Sequence, residues 1–141
     1  AAFDPAVGAL GDIDTAVISL RFANGMLGMI DNSRHAAYGY DQRVEVFGSK
    51  GSVAAHNEPI TTVEWSTAEG IVREKPKPFF LERYAQSYRI EMAAFIDAIR
   101  GAGGKTLADV NDGYQAELAA YAANRSLKEG RPVRVGEEER F

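Results

Sequence analysis

The residues best equipped for chemistry lie in one stretch. From Asp31 to Gly51 the chain reads Asp-Asn-Ser-Arg-His-Ala-Ala-Tyr-Gly-Tyr-Asp-Gln-Arg-Val-Glu-Val-Phe-Gly-Ser-Lys-Gly, a polar and aromatic run held between two apolar strand patterns. An arginine, a histidine and two tyrosines separated by one glycine (Arg34, His35, Tyr38 and Tyr40) stand at strand ends. A polyhydroxylated ligand needs many directional hydrogen bonds and flat rings to lie against, and these side chains supply both. They are the candidate ligand-binding residues. Ordered loops often carry function, but polar strand ends are commonplace, and the competing reading of the same run is a solvated turn.

Other chemistries find less support. His35 and His56 are the only histidines, too few and too poorly partnered to argue for a metal. The chain has no cysteine, which removes disulfides, thiolate zinc sites and cysteine nucleophiles. Ser33, Ser49 and Ser52 lack a neighbouring base or oxyanion context. Asp31 and His35 are four residues apart, but the pattern there is a strand entering a turn, where that spacing does not align side chains on one helical face. Gly101-Ala102-Gly103-Gly104 joins two helical patterns instead of following a strand, so it reads as a connector and not as a dinucleotide cradle. No catalytic, cofactor-binding or metal-binding residue is therefore assigned. The chain by itself is expected to bind no dinucleotide and to be inactive.

The elements that must position this stretch follow from periodicity. Ala16, Ile18, Leu20 and Phe22 alternate with Thr15, Val17, Ser19 and Arg21, a period of two that predicts a strand with the first set buried. Asn24-Gly25 predicts a type I′ hairpin turn, with Met26 to Arg34 as the returning strand. Apolar atoms remain on both faces of this hairpin: either a helix layer covers one face and the other carries scattered apolar residues, or a second sheet from another subunit covers that other face. Further strands are expected over Gln42 to Phe47 and Ser52 to Ala55, and a hairpin over Thr61 to Glu74 that Lys75-Pro76-Lys77-Pro78 stops.

Tyr84, Tyr88, Met92, Phe95 and Ile99 form an apolar stripe on a helix from about Glu82 to Arg100. Thr106 and Asp109 have capping-box spacing for a second helix, whose buried side is Val110, Tyr114, Leu118, Tyr121, Ala122 and Leu127 and which ends at Gly130. Ala1 to Gly11 reads as a connector and Arg131 to Val135 as a last short strand. The whole is an α+β domain: a mainly antiparallel sheet of about six strands with two C-terminal helices packed on one face.

Composition agrees with one domain. The 141 residues are 45% hydrophobic and 26% charged, which describes an ordinary globular chain with a workable core. A net charge of -4 argues against nucleic acid, whose phosphates need a basic face. No apolar run is long enough to span a bilayer, and a membrane partner is not expected. The start, Ala1-Ala2-Phe3-Asp4-Pro5, lacks methionine and the features of a signal peptide, and reads as cut from something longer or as a processed terminus.

Tyr38-Gly39-Tyr40-Asp41, followed by Arg43-Val44-Glu45-Val46-Phe47 and the turn Gly48-Ser49-Lys50-Gly51, resembles the C-terminal domain of the Gfo/Idh/MocA oxidoreductase family, in particular its myo-inositol 2-dehydrogenases. Asp12-Ile13-Asp14-Thr15-Ala16 and Phe22-Ala23-Asn24-Gly25 upstream, and Gly130-Arg131-Pro132-Val133 downstream, extend the likeness over almost the whole chain. The resemblance implies a glyceraldehyde-3-phosphate dehydrogenase-like C-terminal fold. It also implies that residues 1–141 are a single substrate-binding and oligomerisation domain, cut from a longer parent whose dinucleotide-binding domain is absent here.

That parent would be a cytoplasmic enzyme using NAD to oxidise a secondary alcohol of myo-inositol or a related sugar. Its catalytic lysine and aspartate-supported histidine would lie outside this chain. Tyr40, with Tyr38, would reach the rim of the polyol pocket, and the sheet would form a homo-oligomer. Glu74-Lys75-Pro76 repeats three letters of the family's lysine motif, but that motif belongs to the nucleotide-binding domain, so Lys75 receives no role. The competing class is a stand-alone ligand-binding or scaffold domain with no enzymatic parent.

Overall fold

The computed structural model describes residues 1–101 and 108–137. The chain divides into two compact units, Ala1–Ile90 and Glu91–Phe141. The first opens with a short helix, α1 (Pro5–Ala9), where a featureless connector was expected. Its cause is local: the Asp4 side chain accepts from the Ala6 N–H at 2.8 Å, and Pro5 occupies the first helical position, where its missing N–H costs nothing.

Six strands follow: β1 (Thr15–Arg21), β2 (Leu27–Ser33), β3 (Val44–Gly48), β4 (Gly51–Ala55), β5 (Glu64–Thr67) and β6 (Gly70–Arg73). All pair antiparallel, and with the helices they give the expected α+β class. They do not form one sheet. Among the described residues they make three two-stranded hairpins, β1-β2, β3-β4 and β5-β6. Where the chain could pair further, it meets prolines: an isolated bridge joins Pro59 to Pro76, flanked by Ile60 N–H to the Lys75 carbonyl at 3.3 Å and Lys77 N–H to the Glu58 carbonyl at 3.0 Å. Proline has no N–H to donate, so this contact cannot grow into a ladder.

The β1-β2 hairpin keeps the predicted alternation up to Leu20, while Phe22, expected on the buried face, lies beyond β1 and is exposed. Ala16, Ile18 and Leu20 are half-buried while Val17, Ser19 and Arg21 are exposed, and the register sets Ile18 opposite Ile30 and Val17 opposite Asp31. Its turn differs from the type I′ expectation. Asn24 keeps a negative φ and Gly25 alone has a positive one, 88°. Gly25 N–H bonds the Phe22 carbonyl at 3.0 Å and Phe22 N–H bonds Met26 at 2.9 Å. This is a three-residue loop in which a left-handed glycine follows an ordinary turn.

After β6 come α2 (Phe80–Arg83) and α3 (Ala85–Ile99), separated at Tyr84, where one continuous helix was expected. In the second unit α4 (Val110–Glu129) starts three residues later than a Thr106 cap would place it; Thr106 itself lies outside the described residues. Asp109 is the cap. Its carboxylate accepts from the N–H groups of Asn111 and Asp112, and Asp112 returns a bond to the Asp109 N–H. Gly130 closes the helix with φ of 63°.

No strand follows. Arg131 instead bonds Glu129 and Glu137, and Arg125 reaches the same two glutamates, so this segment is tied by ion pairs where a ladder was expected. Burial is sparse. Among the described residues Ala122 and Asp14 alone are buried, and the stripe Tyr88, Met92, Phe95 and Ile99, expected to be core, is exposed.

Candidate functional site

All four candidate residues lie in the first unit, on the segment that leaves β2 and enters β3. The exit from β2 is pinned by Asp14, the residue just before β1. The Asp14 carbonyl accepts from the Arg34 N–H at 2.9 Å. Its carboxylate, shielded from solvent, accepts from the N–H groups of Phe3 at 3.0 Å and Asp4 at 2.7 Å and from the Thr15 hydroxyl at 2.9 Å. His35 faces the same carboxylate, with Nε2 3.6 Å from Oδ2 and its ring largely in solvent. The backbone N–H groups of Asp4 and Phe3, then Thr15 and His35, hold the Asp14 carboxyl down to about 2. His35 is thus paired with a residue seventeen positions from Asp31, which stands in β2, and the Asp31-His35 spacing carries no helical meaning.

Beyond His35 the chain turns. Gly39 N–H bonds the Ala36 carbonyl at 3.2 Å, and Gly39 has φ of 140°. A Cβ there would sit 2.9 Å from the Pro76 carbonyl oxygen, so only glycine permits this close approach. The turn sends the two tyrosines to different partners. The Tyr38 hydroxyl donates to Asp41. Tyr40 donates its N–H to the Lys77 carbonyl at 3.1 Å and sets its ring edge-on to Tyr84, with centroids 5.7 Å apart at 88°. The Arg83 guanidinium lies 5.5 Å from the centre of the Tyr84 ring. Burial, then the neighbouring Tyr40 phenol, pushes the Tyr84 phenol up.

Asp41 gathers this loop together. It accepts from Arg43 Nε at 2.8 Å and Nη2 at 2.9 Å, from Asn57 Nδ2 at 2.6 Å and from the Tyr38 hydroxyl. The Asn57 carbonyl oxygen in turn takes the Gln42 N–H at 2.8 Å. Arg43, then Tyr38 and Asn57, hold the Asp41 carboxyl down to about 2, so it is ionised at neutral pH. Asp41, the centre of the loop, is absent from the four candidates although it stands in the quoted motif. Its signal was the short carboxylate flanked by Tyr38 and Arg43. Asn57 and Tyr84 had no comparable signal, since only folding brings them here.

The arrangement suits recognition. Tyr38 offers a phenol oxygen at an exposed position, Tyr40 a half-buried ring, and Arg34 and His35 further polar groups at the β2 exit. An open groove of about 380 Å³ lies nearby along Asn57, Pro59, Thr61, Glu64 and Arg73, and none of the four candidates lines it. Among the described residues no cluster of three or more His, Asp or Glu could hold a metal, and no strand runs through a glycine turn into a helix as a dinucleotide cradle requires. No helix among the described residues is long and apolar enough to cross a membrane.

Comparison with known proteins identifies the family. Residues 2–135 match the oxidoreductase family, C-terminal alpha/beta domain, of the Gfo/Idh/MocA type. The chain is 54% identical to the uncharacterized oxidoreductase YrbE of Bacillus subtilis, over 98% of its own length and 40% of that protein's. It is 48% identical to a myo-inositol 2-dehydrogenase of Thermotoga maritima, over 95% of this chain and 40% of the relative.

Among solved structures, a myo-inositol dehydrogenase from Corynebacterium glutamicum superposes with a TM-score of 0.85 at 40% identity, covering 93% of this chain and 39% of that one. A scyllo-inositol dehydrogenase from Lactobacillus casei, solved with NAD(H) and scyllo-inositol, gives 0.84 at 26% identity, covering 94% and 39%. The chain thus spans about 40% of the length of the curated relatives it matches. With a family match running from residue 2 to residue 135, this chain belongs to the Gfo/Idh/MocA oxidoreductase family and carries its C-terminal alpha/beta domain.

Proposed function

We propose that residues 1–141 act as one substrate-side domain of an NAD-dependent oxidoreductase that oxidises a secondary alcohol of myo-inositol or a related cyclitol. The observation that supports this best is the likeness, over nearly the whole chain, to a myo-inositol 2-dehydrogenase. The exposed hydrogen-bonding loop adds to it, because a cyclitol is a ring of hydroxyls that needs such a surface. When bound, NAD would accept the hydride. In this reading NAD is carried by another part of the parent.

This chain's part is binding and orientation. Tyr38, Tyr40, Arg34 and His35 form the polyol-facing edge: Tyr38 meets a hydroxyl, Tyr40 gives the ring a flat neighbour, and the β2 exit adds polar contacts. Holding the substrate still in this way converts a chance encounter into a positioned one. The same reading includes self-association through the β1-β2 hairpin, whose outward apolar residues lack cover.

A chimera tests the enzymatic reading. The chain replaces the corresponding segment of the Thermotoga maritima myo-inositol 2-dehydrogenase, and NADH formation is followed with myo-inositol. The expected result is NADH formation that depends on myo-inositol and falls when Tyr40 becomes Phe. A folded chimera that binds NAD but oxidises neither myo-inositol nor scyllo-inositol would overturn the reading.

A further inference from the structure

Four donors converge on Asp41, and they divide evenly between its oxygens. Oδ1 accepts from Arg43 Nε and Asn57 Nδ2; Oδ2 accepts from Arg43 Nη2 and the Tyr38 hydroxyl. A carboxylate has about four acceptor positions, so Asp41 has none left for a ligand. Because Asp41 is ionised it has no proton to give, and the bond with Tyr38 can run only one way: the phenol donates. Asn57 is held in orientation by the Gln42 N–H at its carbonyl oxygen, which keeps its amide nitrogen toward Asp41. The Tyr38 proton is therefore committed, whereas its oxygen lone pairs remain, on a side chain that is 48% exposed.

We propose that Asp41 is a specificity-determining positioning residue: by accepting the hydrogen bond of the Tyr38 phenol it leaves Tyr38 able only to accept from a ligand, so that Tyr38 recognises a hydroxyl of the ligand and disfavours a carbonyl at the same point. This deepens the polyol reading above and rests on it. A free tyrosine hydroxyl can donate or accept and would serve an alcohol and a ketone alike. Fixed by Asp41, it favours the alcohol, because a carbonyl brought to the same oxygen sets two acceptors against each other with no proton between them. Asp41 itself touches no ligand. The bond to Asp41 and the Asp41 and Asp31 charges push the Tyr38 phenol up against the opposing effect of Arg43, so the group stays protonated through neutral pH.

The test uses the 141-residue chain, tyrosine-labelled for NMR, with Tyr38 assigned by its loss in Tyr38→Phe. Two probes are titrated: myo-inositol and the ketone that differs from it by one oxidised carbon. In the wild type, Tyr38 is expected to ionise at higher pH than in Asp41→Asn, and myo-inositol to bind more tightly than the ketone. Asp41→Asn should reduce that preference roughly two- to tenfold, the worth of one hydrogen bond. Tyr38→Phe, which keeps the ring and does not depend on Asp41→Asn folding, should reduce it similarly.

Unchanged Tyr38 ionisation in Asp41→Asn overturns the inference. So does equal binding of the two probes by the wild type, while the polyol reading survives. If neither probe perturbs Tyr38, the polyol reading falls at this site and takes the inference with it.

Discussion

At the scale of single residues, Asp14 makes the opening segment acid-sensitive. Its carboxyl is held at about 2 in the fold against an ordinary 3.8, so its bonds to Phe3, Asp4 and Thr15 stabilise the native state fully above the unfolded value. That stabilisation is lost as pH falls from about 3.8 through about 2, where folded and unfolded forms both become protonated. Asp14→Asn should therefore be less stable than the wild type at neutral pH, with the difference shrinking across this window. Urea unfolding at a series of pH values checks it; a difference that persists at the acid end would mean the role is steric.

The sequence singles out Tyr38, Tyr40, Arg34 and His35 as candidates because two phenols, a guanidinium and an imidazole fall together in one short run. It did not make Asp14 legible as their anchor, since its partners at Phe3, Asp4 and His35 converge only in three dimensions. Tyr38 and Tyr40 part company for a related reason: Gly39, at φ of 140°, turns the backbone between them.

At the scale of elements, α4 depends on its two ends. Asp109 satisfies two of the N–H groups that the first turn leaves without partners, and Gly130 supplies the left-handed residue at the other end. Asp109→Ala should destabilise the helix by about 1 kcal/mol, read as a lower denaturation midpoint by far-ultraviolet circular dichroism, whereas Asp109→Asn should recover most of the loss. No change in Asp109→Ala would show that packing, not the cap, sets where the helix begins.

Periodicity made the β1-β2 hairpin, α3 and α4 readable, because patterns of two and of three to four survive single exceptions. α1 escaped notice because five residues are too few for a period; its signal was the cap and proline at Asp4-Pro5. The strand expected after Arg131 failed because ion pairs with Glu129 and Glu137 satisfy that segment locally.

At the scale of the whole molecule, exposed apolar area decides the solution behaviour we expect. Val17, Leu27 and Met29 share the outward face of the β1-β2 hairpin and are 65%, 79% and 74% exposed. Large apolar side chains left exposed on one face, here interleaved with Ser19, Arg21 and Asp31, are candidates for an interface. Light scattering over a dilution series should show a concentration-dependent oligomer, and Val17→Asp should raise its dissociation constant roughly tenfold or more. A monomer that persists at high concentration would exclude the interface.

Strand pairing here has another effect, on time. Each strand pairs with its immediate neighbour in sequence, so every hairpin closes only a short loop and can form within microseconds. The contacts that seat the tyrosine loop span far more chain: Tyr40 to Lys77, Tyr40 to Tyr84, and the approach of Gly39 to Pro76. Longer loops cost more entropy to close and are made later. The hairpins are therefore expected to form before the tyrosine loop is seated.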